Sequence, residues 1–278
     1  MVTQEQRKRQ LAREKFLRQQ QRRTSARRKA RMRNSVIASV LGVIVIGSVA
    51  LYTTGVMKGN DDKSNASADV TPTPSASATK KAPDPCAKPA AGKIKTETWK
   101  KEPAVTIDKS AKYTMKLATT CGDIDIALKT SAAPHTVNSF DFLAGKGFFD
   151  HTKCHRLVTS GIYVLQCGDP TGAGSGGPGY TIPDENLKDT SLKGGVYPAG
   201  TVAMANTGQK HTGGSQFFLV YKDSQLPASY TPFGTIDAAG MKVLNKIAAA
   251  GAQAADPTTG NTAPNATVVI NKATVTKS

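Results

Sequence analysis

The sequence places one arginine inside an apolar, strand-like run, Cys154-His155-Arg156-Leu157-Val158. A guanidinium is permanently charged and presents a rigid fork of hydrogen-bond donors. It can therefore stabilise a reacting atom without a nucleophile, a metal or a cofactor. Gln166 follows ten residues later in a second apolar run, and Gly214-Ser215-Gln216-Phe217-Phe218 forms a third. We expect these runs to build one binding pocket.

Motifs that would indicate other kinds of chemistry lack the neighbouring residues or the spacing that they require. Gly172-x-Gly174-x-x-Gly177 has dinucleotide-binding spacing, but Pro178-Gly179-Tyr180 follows it instead of a helix, so a flexible loop is the better interpretation. The run at 213–217 breaks the G-x-S-x-G pattern at Phe217. The four histidines lack recognised metal-ligand spacing, and no metal or other cofactor is expected. They are His135, His151, His155 and His211.

Short runs of alternating apolar and polar residues dominate the C-terminal two thirds of the chain. Residues 113–119 and 123–128 alternate on either side of Cys121-Gly122, which predicts a hairpin. Helices are predicted over 137–144, before two glycines, and over 241–250. Many short strands with only two helices favour an antiparallel barrel or sandwich. The remaining predicted strands cover 154–158, 162–167, 200–205, 216–221, 233–236 and 267–270.

The beginning of the chain has a different composition. Residues 1–33 hold 13 lysines and arginines against two glutamates, which is +11 of the total formal charge of +17. Residues 36–57 carry no charge, and about 20 apolar residues suffice for a helix to cross a bilayer. We predict a single-pass transmembrane helix there, with the basic tail in the cytoplasm and the rest outside. The alternatives are a buried helix of a soluble protein and a signal peptide cleaved after Ala66-Ser67-Ala68.

The predicted topology accounts for the basic tail, so no nucleic-acid partner is expected. Residues 58–91 are rich in Ser, Ala, Thr and Pro, which predicts a disordered linker, with a glycosylated stalk as the alternative. The chain then divides into a basic cytoplasmic tail (residues 1–35), a transmembrane helix (36–57), a linker (58–91), a lead-in segment (92–110) and a folded domain (111–278).

All four cysteines, Cys86, Cys121, Cys154 and Cys167, follow the predicted membrane helix. An even number on the exported side of a membrane favours disulfides, and four cysteines allow three pairings. Cys154–Cys167 is geometrically plausible because these residues flank two strands that should pair, and Cys86–Cys121 would then remain. Four buried free thiols are the alternative.

Several motifs occur together in a fixed order. They are His155-Arg156-Leu157-Val158, Gln166-Cys167-Gly168-Asp169-Pro170, Met204-Ala205-Asn206, Gly214-Ser215-Gln216-Phe217-Phe218 and Tyr230-Thr231-Pro232-Phe233-Gly234. This set resembles the cyclophilin family of peptidyl-prolyl isomerases over about residues 111–275. The resemblance implies an eight-stranded antiparallel β-barrel capped by two α-helices, with the active site on its outer face. The predicted anchor and linker resemble those of exported cyclophilins of Gram-positive bacteria.

The resemblance also implies a role for each site residue. Rotation about an X-Pro bond is slow because amide resonance sets a barrier of about 18–20 kcal/mol. By resemblance Arg156 donates a hydrogen bond to the prolyl nitrogen as it pyramidalises, an interaction available only in the twisted state. Gln166 would orient Arg156 and bind the substrate backbone, and Phe218 and Leu226 would line the proline pocket. The further implied substrate-binding residues are Tyr163, Val164, Ala205, Asn206, Gln216 and Tyr230.

The implied function is isomerisation of proline-containing polypeptides outside the cytoplasm, assisting the folding of exported proteins. A non-catalytic proline-peptide binding module or chaperone on the same fold is the alternative. Ordinary core packing is the alternative for Phe218, Leu226 and Phe233.

The chain departs from the family pattern at several positions. Tyr163, Val164 and Tyr230 stand where phenylalanine, methionine and histidine are usual. Gln225 stands where many eukaryotic members have a tryptophan that contacts cyclosporin, so weak cyclosporin inhibition is expected. The chain also has two extra residues between Arg156 and Gln166 and one within 208–215, which we expect in loops.

Overall fold

The computed structural model describes residues 83–256 and 260–278. Within these two ranges, no helix has the length and apolar character needed to cross a membrane. The predicted tail, membrane helix and most of the linker fall in residues 1–82 and lie outside the described residues.

The described residues form a mainly β structure with two helices. Each sequence segment predicted as a strand contains one, although the strand predicted at 154–158 begins at Arg156 and the last strand extends well beyond residue 270. The strands are β1 Tyr113–Thr119, β2 Gly122–Leu128, β3 Thr152–Lys153, β4 Arg156–Val158, β5 Val164–Cys167, β6 Val196–Tyr197, β7 Thr201–Met204, β8 Phe217–Val220, β9 Ser224–Gln225, β10 Pro232–Ile236 and β11 Val269–Lys277.

The two helices, α1 Pro134–Gly145 and α2 Ala238–Ala249, each begin three residues before their predicted start. Proline is well suited to the first turn of α1, because it lacks an N–H that would have no partner there. At α2 the Asp237 side chain accepts a hydrogen bond from the Gly240 backbone N at 2.7 Å. These local capping signals explain the earlier starts.

The N-terminus of α1 is capped by a residue from a distant loop. The two carboxylate oxygens of Glu185 accept hydrogen bonds from the backbone N of His135 at 3.0 Å and of Thr136 at 2.9 Å. The Thr136 hydroxyl also donates to Glu185, at 2.8 Å. The local N-cap residue, Ala133, makes no side-chain cap. Glu185 therefore satisfies the free N–H groups and places negative charge at the positive end of the helix.

We expect Glu185→Ala to lower the free energy of unfolding by about 1–3 kcal/mol, since it leaves helix-terminal N–H groups without an acceptor. Urea denaturation of the variant and the wild type would measure this loss. Glu185→Gln keeps one acceptor oxygen and should lose less. Equal stability of Glu185→Ala and wild type would contradict the capping role.

Nine strands form one antiparallel sheet in the order β3-β11-β1-β2-β10-β7-β8-β5-β4, and β6 pairs separately with β9. The two edge strands, β3 and β4, are separated in the chain only by Cys154 and His155. One continuous stretch thus supplies both edges and brings them together, as a barrel-like sheet requires. Counting 152–158 as one interrupted strand gives the eight strands that the family resemblance implies.

The main core contains a cluster of aromatic rings around Phe140 of α1. Its ring centroid lies 5.2 Å from that of Phe149, 5.5 Å from that of Phe217 and 4.6 Å from that of Phe233. All four side chains are fully buried. The cluster packs α1 against the inner face of the sheet. Phe233 is therefore a core residue, which was the alternative given for it above.

Residues 83–112 precede the first strand and are attached to the domain from their beginning. Cys86 forms a disulfide with Cys121, and the Ala87 N donates to the Thr120 carbonyl at 2.8 Å. The Ala90 N donates to Asn271 Oδ1 at 2.9 Å. Residues 83–91, which their composition assigns to the linker, therefore belong with the folded domain. Composition misses this attachment because backbone groups and one cysteine make it.

Candidate active site

Arg156, Gln166, Phe218 and Ala203 form a row across four neighbouring strands. Arg156 of β4 stands opposite Gln166 of β5, which stands opposite Phe218 of β8, and Phe218 stands opposite Ala203 of β7. Successive residues of a strand point to opposite faces of the sheet. The neighbours of the row belong to the main core, namely Leu157, Leu165, Phe217, Leu219 and Val202. The row therefore lies on the outer face.

The extra residues do not disturb this register. Residues 156–158 pair with 166–164, and the exposed residues Thr159, Ser160 and Gly161 lie in the turn between the two strands. The segment 208–215 lies in the connection between β7 and β8. Both insertions are thus absorbed in loops, as expected.

A relay of side-chain amides holds the guanidinium of Arg156, the only arginine after Arg33. Arg156 Nη1 donates to Gln166 Oε1 at 3.3 Å, and Gln166 Nε2 donates to Gln216 Oε1 at 2.8 Å. Gln216 Nε2 in turn donates to the Gly176 carbonyl at 2.9 Å. In Gln166 and in Gln216 the amide oxygen accepts the hydrogen bond on the side of Arg156, and the amide nitrogen donates the one on the far side. The relay therefore fixes the orientation of both amides.

Asp169, which the sequence reasoning missed as a site residue, organises the glycine-rich loop of residues 172–179, where the relay ends. Its buried carboxylate accepts hydrogen bonds from the Thr171 N and hydroxyl, from the Gly174 N at 2.6 Å and from the Gly176 N at 3.1 Å. Burial by itself raises the pKa of Asp169, but these hydrogen bonds outweigh burial and leave the pKa below its usual value. The loop is thus held by a charged carboxylate. An aspartate two residues before a threonine is a turn signal that could have indicated this role.

A small apolar cluster lies on the outer face beside the row. Phe218 and Tyr230 meet edge to face there, with ring centroids 5.5 Å apart. The predicted pocket residues Val164, Phe218, Leu226 and Tyr230 are therefore brought together. The buried members are Val164, Tyr197, Ala203, Phe218 and Val220, and the partly buried ones are Val158, Ile162, Leu192, Ala205, Leu226 and Tyr230.

Tyr197 is the fully buried base of this cluster, and the sequence reasoning missed it. Its hydroxyl donates to the Tyr230 carbonyl at 2.8 Å and accepts from the Tyr230 N at 3.3 Å. It also occupies the two-residue strand β6, whose pairing with β9 places Leu226 near Gly195. Tyr197 thereby positions two predicted pocket residues. The sequence does not predict this role, because a two-residue strand beside Pro198 is too short to show an alternation of apolar and polar residues.

The ring of Tyr163, another predicted site residue, lies outside this apolar cluster. It packs edge to face against Tyr221 at 5.8 Å, and Lys222 Nζ lies 4.7 Å from its centroid. Ile162, the preceding residue, packs against the outer apolar cluster instead.

Ala205, Asn206, Gln166 and Gln216 line a cavity of about 810 Å³ next to the row, which we call the side groove. The Ala205 N already donates to the Gln216 carbonyl at 2.9 Å, so pairing of Ala205 with a peptide must use its carbonyl oxygen. The Asn206 side chain donates to the Ser229 carbonyl and accepts from the Gly208 N. Asn206 thereby ties two loops to the mouth of the site. The other walls of the side groove are the glycine-rich loop and residues 98 and 100–102.

Comparison with known protein families identifies the family to which this fold belongs. A family model described as cyclophilin type peptidyl-prolyl cis-trans isomerase/CLD matches residues 114–275, more than half of the chain. The chain belongs to the cyclophilin family.

Several curated cyclophilins are similar to this chain. The probable peptidyl-prolyl cis-trans isomerase B of Mycobacterium leprae is 49% identical over 179 residues, covering 62% of this chain and 56% of that protein. The protein of the same name from Mycobacterium tuberculosis strain H37Rv is 46% identical over 179 residues, covering 62% and 54%. Peptidyl-prolyl cis-trans isomerase B of Bacillus subtilis is 42% identical over 114 residues, covering 41% and 75%. The chain thus spans little more than half the length of the mycobacterial relatives.

In this cyclophilin a disulfide joins Cys154, two residues before the strand that carries Arg156, to Cys167, the last residue of the strand that carries Gln166. Cys154 and Cys167 are bonded, with their Cα atoms 4.0 Å apart. Together with Cys86–Cys121 this is the preferred pairing, and the chain has no free cysteine. The bridge lies two residues before Arg156 and one residue after Gln166. It therefore adds a covalent tie beside the Arg156–Gln166 pair.

His155, next to Arg156 in the cyclophilin motif, is only 4% exposed. Neither ring nitrogen has a hydrogen-bond partner among the described residues. Burial lowers the pKa of His155, and Arg156 and Lys153 lower it further, while the nearby Asp169 carboxylate raises it. The net pKa lies below the usual value. The folded protein therefore keeps this ring neutral at a pH where an unfolded chain would protonate it.

We expect this histidine to make the cyclophilin domain less stable in mild acid. As the pH falls below about 6.5, the unfolded state takes up a proton that the folded state does not, so the free energy of unfolding decreases by up to ~1.4 kcal/mol per pH unit. Above that pH the contribution vanishes. Urea denaturation of wild type and His155→Phe at pH 7 and pH 5 would measure it. The variant should lose less stability between these pH values, and an equal loss would contradict the expectation.

Proposed function

We propose that this chain is a peptidyl-prolyl cis-trans isomerase that accelerates X-Pro rotation in exported polypeptides and so assists their folding outside the cytoplasm. The names of its relatives support the activity. The register row of Arg156, Gln166 and Phe218 carries the proposal, because it places a fixed hydrogen-bond donor beside an apolar pocket of the kind a proline ring needs.

The proposed mechanism needs only groups of this chain. The proline ring enters the outer apolar cluster between Phe218, Leu226 and Tyr230, and the peptide main chain pairs with Ala205 and Asn206. As the amide twists, its nitrogen pyramidalises and its lone pair becomes localised on nitrogen, where it can accept a hydrogen bond from the Arg156 guanidinium. Because this lone pair is delocalised into the carbonyl in the planar amide, the hydrogen bond lowers the energy of the twisted state selectively.

An exchange measurement on a short Ala-Pro peptide tests this proposal. Two-dimensional NMR exchange spectroscopy follows cis-trans interconversion directly and needs no coupling protease. The full-length chain should raise the interconversion rate in proportion to its concentration. Binding of the peptide without any change in rate would reject the isomerase and leave the non-catalytic binding module.

We further propose that residues 36–57 anchor the chain in a membrane by a single span, with the basic tail in the cytoplasm and the cyclophilin domain outside. The uncharged run, the positive charge before it and the two disulfides support this topology, since disulfides persist in oxidising compartments. Protease added to intact cells after removal of the cell wall should digest the domain and spare the tail. Protection of the domain would overturn the proposal.

Cyclosporin should inhibit this enzyme weakly. Gln225 stands where many eukaryotic members have tryptophan, and it is exposed with its Nε2 donating to the Gly194 carbonyl at 2.8 Å. An amide at this position of β9 offers less apolar contact area to a cyclic apolar peptide than an indole ring does. Titration of the Ala-Pro exchange rate with cyclosporin measures the inhibition, and Gln225→Trp should strengthen it. Tight inhibition of the wild type, at nanomolar concentration, would contradict the expectation.

A further inference from the structure

The side groove has a wall that lies outside the family-matched residues. Residues 98 and 100–102 of the lead-in segment line it, whereas the family match begins at residue 114. The same groove is also lined by Gln166, Ala205, Asn206 and Gln216, the residues placed beside the proline pocket. A peptide that extends from the proline pocket into this groove would therefore contact the lead-in segment.

Two anchors within this stretch hold the wall in place. Between residues 98 and 100, the Trp99 N donates to the Pro178 carbonyl at 2.8 Å, and the Trp99 ring packs edge to face on Phe142 at 5.0 Å. At the end of the wall, Glu102 Oε1 lies 2.7 Å from His135 Nδ1. The wall is thus pinned to the glycine-rich loop and to α1.

Gly179 shows how closely the wall approaches the glycine-rich loop. Its φ is +86°, and a Cβ there would lie 2.8 Å from the Trp99 carbonyl oxygen and 2.9 Å from the Thr98 Cβ. Any larger residue would push the lead-in segment away. The wall therefore depends on a glycine within the family-matched residues.

The charge of the side groove comes almost entirely from this wall. Lys100, Lys101 and Glu102 are its only lysines, arginines or carboxylates, and the Glu102 carboxylate is paired with His135. In the described part of the chain neither lysine ammonium forms an ion pair. Two positive charges are therefore available to a ligand in a groove otherwise lined by glycines, amides and hydroxyls.

We infer that Lys100 and Lys101 make the enzyme prefer proline-containing peptides that carry an acidic residue a few positions from the proline. This inference rests on the proposed isomerase function and adds a substrate class to it. A carboxylate that enters the side groove meets the two ammonium groups, whereas a lysine there meets like charges. Since both lysines are exposed, each contact is worth only a modest amount and weakens with salt.

Peptides that differ only in the flanking residue test the inference. Glu, Gln or Lys would be placed two or three positions before the proline in one series, and after it in a second. NMR exchange spectroscopy with the full-length chain gives kcat/KM for each peptide. In one of the two series the Glu peptide should exceed the Gln peptide by about three- to fivefold at low salt, and the Lys peptide should fall below it.

Three variants identify the source of the preference. Lys100→Gln/Lys101→Gln should abolish the Glu-to-Gln ratio by lowering kcat/KM for the Glu peptide to that for the Gln peptide, and the exposed Lys242→Gln on α2 should retain the full ratio. Gly179→Ala should reduce the ratio by displacing the wall with both lysines present. Equal rates for Glu and Gln peptides in both series, or a preference that survives in the double variant, would overturn the inference. Failure to accelerate even the Gln peptide would instead reject the isomerase function.

Discussion

Arg156→Ala is expected to lower kcat/KM for X-Pro isomerisation by about 10²–10³-fold, the usual effect of removing one donor that stabilises a transition state. The variant should still bind proline peptides, because the outer apolar cluster and the side groove remain. Arg156→Lys should recover little, since an ammonium keeps the charge but cannot keep the planar geometry that Gln166 holds. NMR exchange spectroscopy on an Ala-Pro peptide measures all three proteins.

A double-mutant cycle separates catalysis by Arg156 from its positioning by Gln166. If the amide relay acts through the guanidinium, Gln166→Ala should lower kcat/KM in the wild-type background and have a much smaller effect beside Arg156→Ala. Lys272→Ala, at an exposed position of β11, is the matched loss of one positive charge and should leave the rate unchanged. Arg156→Ala with wild-type activity and an intact circular dichroism spectrum would reject the catalytic role.

The second large effect concerns the two disulfides, which should differ in what they support. Their loops span 13 residues for Cys154–Cys167 and 35 for Cys86–Cys121. Loop-closure entropy predicts that removal costs about 3 kcal/mol for the first bridge and about 4 kcal/mol for the second. Denaturation of Cys154→Ala/Cys167→Ala and Cys86→Ala/Cys121→Ala in urea measures both losses.

The losses of activity should rank in the opposite order to the losses of stability, with the larger loss on removal of Cys154–Cys167. Arg156 sits on a three-residue edge strand that pairs with β5 on one side and is held on the other by hydrogen bonds between Leu157 and Thr262. The Cys154–Cys167 bridge adds the covalent tie beside Arg156. We expect the loss of this bridge to lower kcat/KM, and the loss of Cys86–Cys121, which ties residues 83–91 to the turn between β1 and β2, to leave it unchanged under conditions where both variants are folded. An equal fall in both variants would show that the bridges affect activity only through overall stability.

The strands and helices could be predicted because their signals are local. In β1 the buried side chains alternate with more exposed ones, and the next run repeats this after a glycine, so the hairpin is encoded in adjacent residues. The helices start earlier than predicted where capping is involved, at Pro134 and Asp237, and some strand ends also differ from the prediction. The motif around Arg156 indicated the family, and the register pair with Gln166 follows from two adjacent strands.

Contacts between distant segments could not be predicted in this way. No local pattern shows that Glu185 caps α1, that Tyr197 underlies the outer apolar cluster or that Gln216 reaches the Gly176 carbonyl. Each depends on which loops meet after the sheet has closed. The composition of residues 83–91 suggested a linker because it shows only side chains, whereas backbone hydrogen bonds and a disulfide hold that stretch.

The sequence by itself thus determined the family, the alternation of the strands and the identity of the one arginine available for catalysis outside the basic tail. Only the tertiary structure decided what surrounds that arginine. It aligned residues from four strands into one row, oriented the guanidinium through two amides, and brought two lysines of the lead-in segment to the side groove. The physical reason is the separation in sequence of the residues involved. Strand alternation depends on neighbouring residues, whereas a site on a curved sheet is assembled from distant residues that meet only when the edges of the sheet come together.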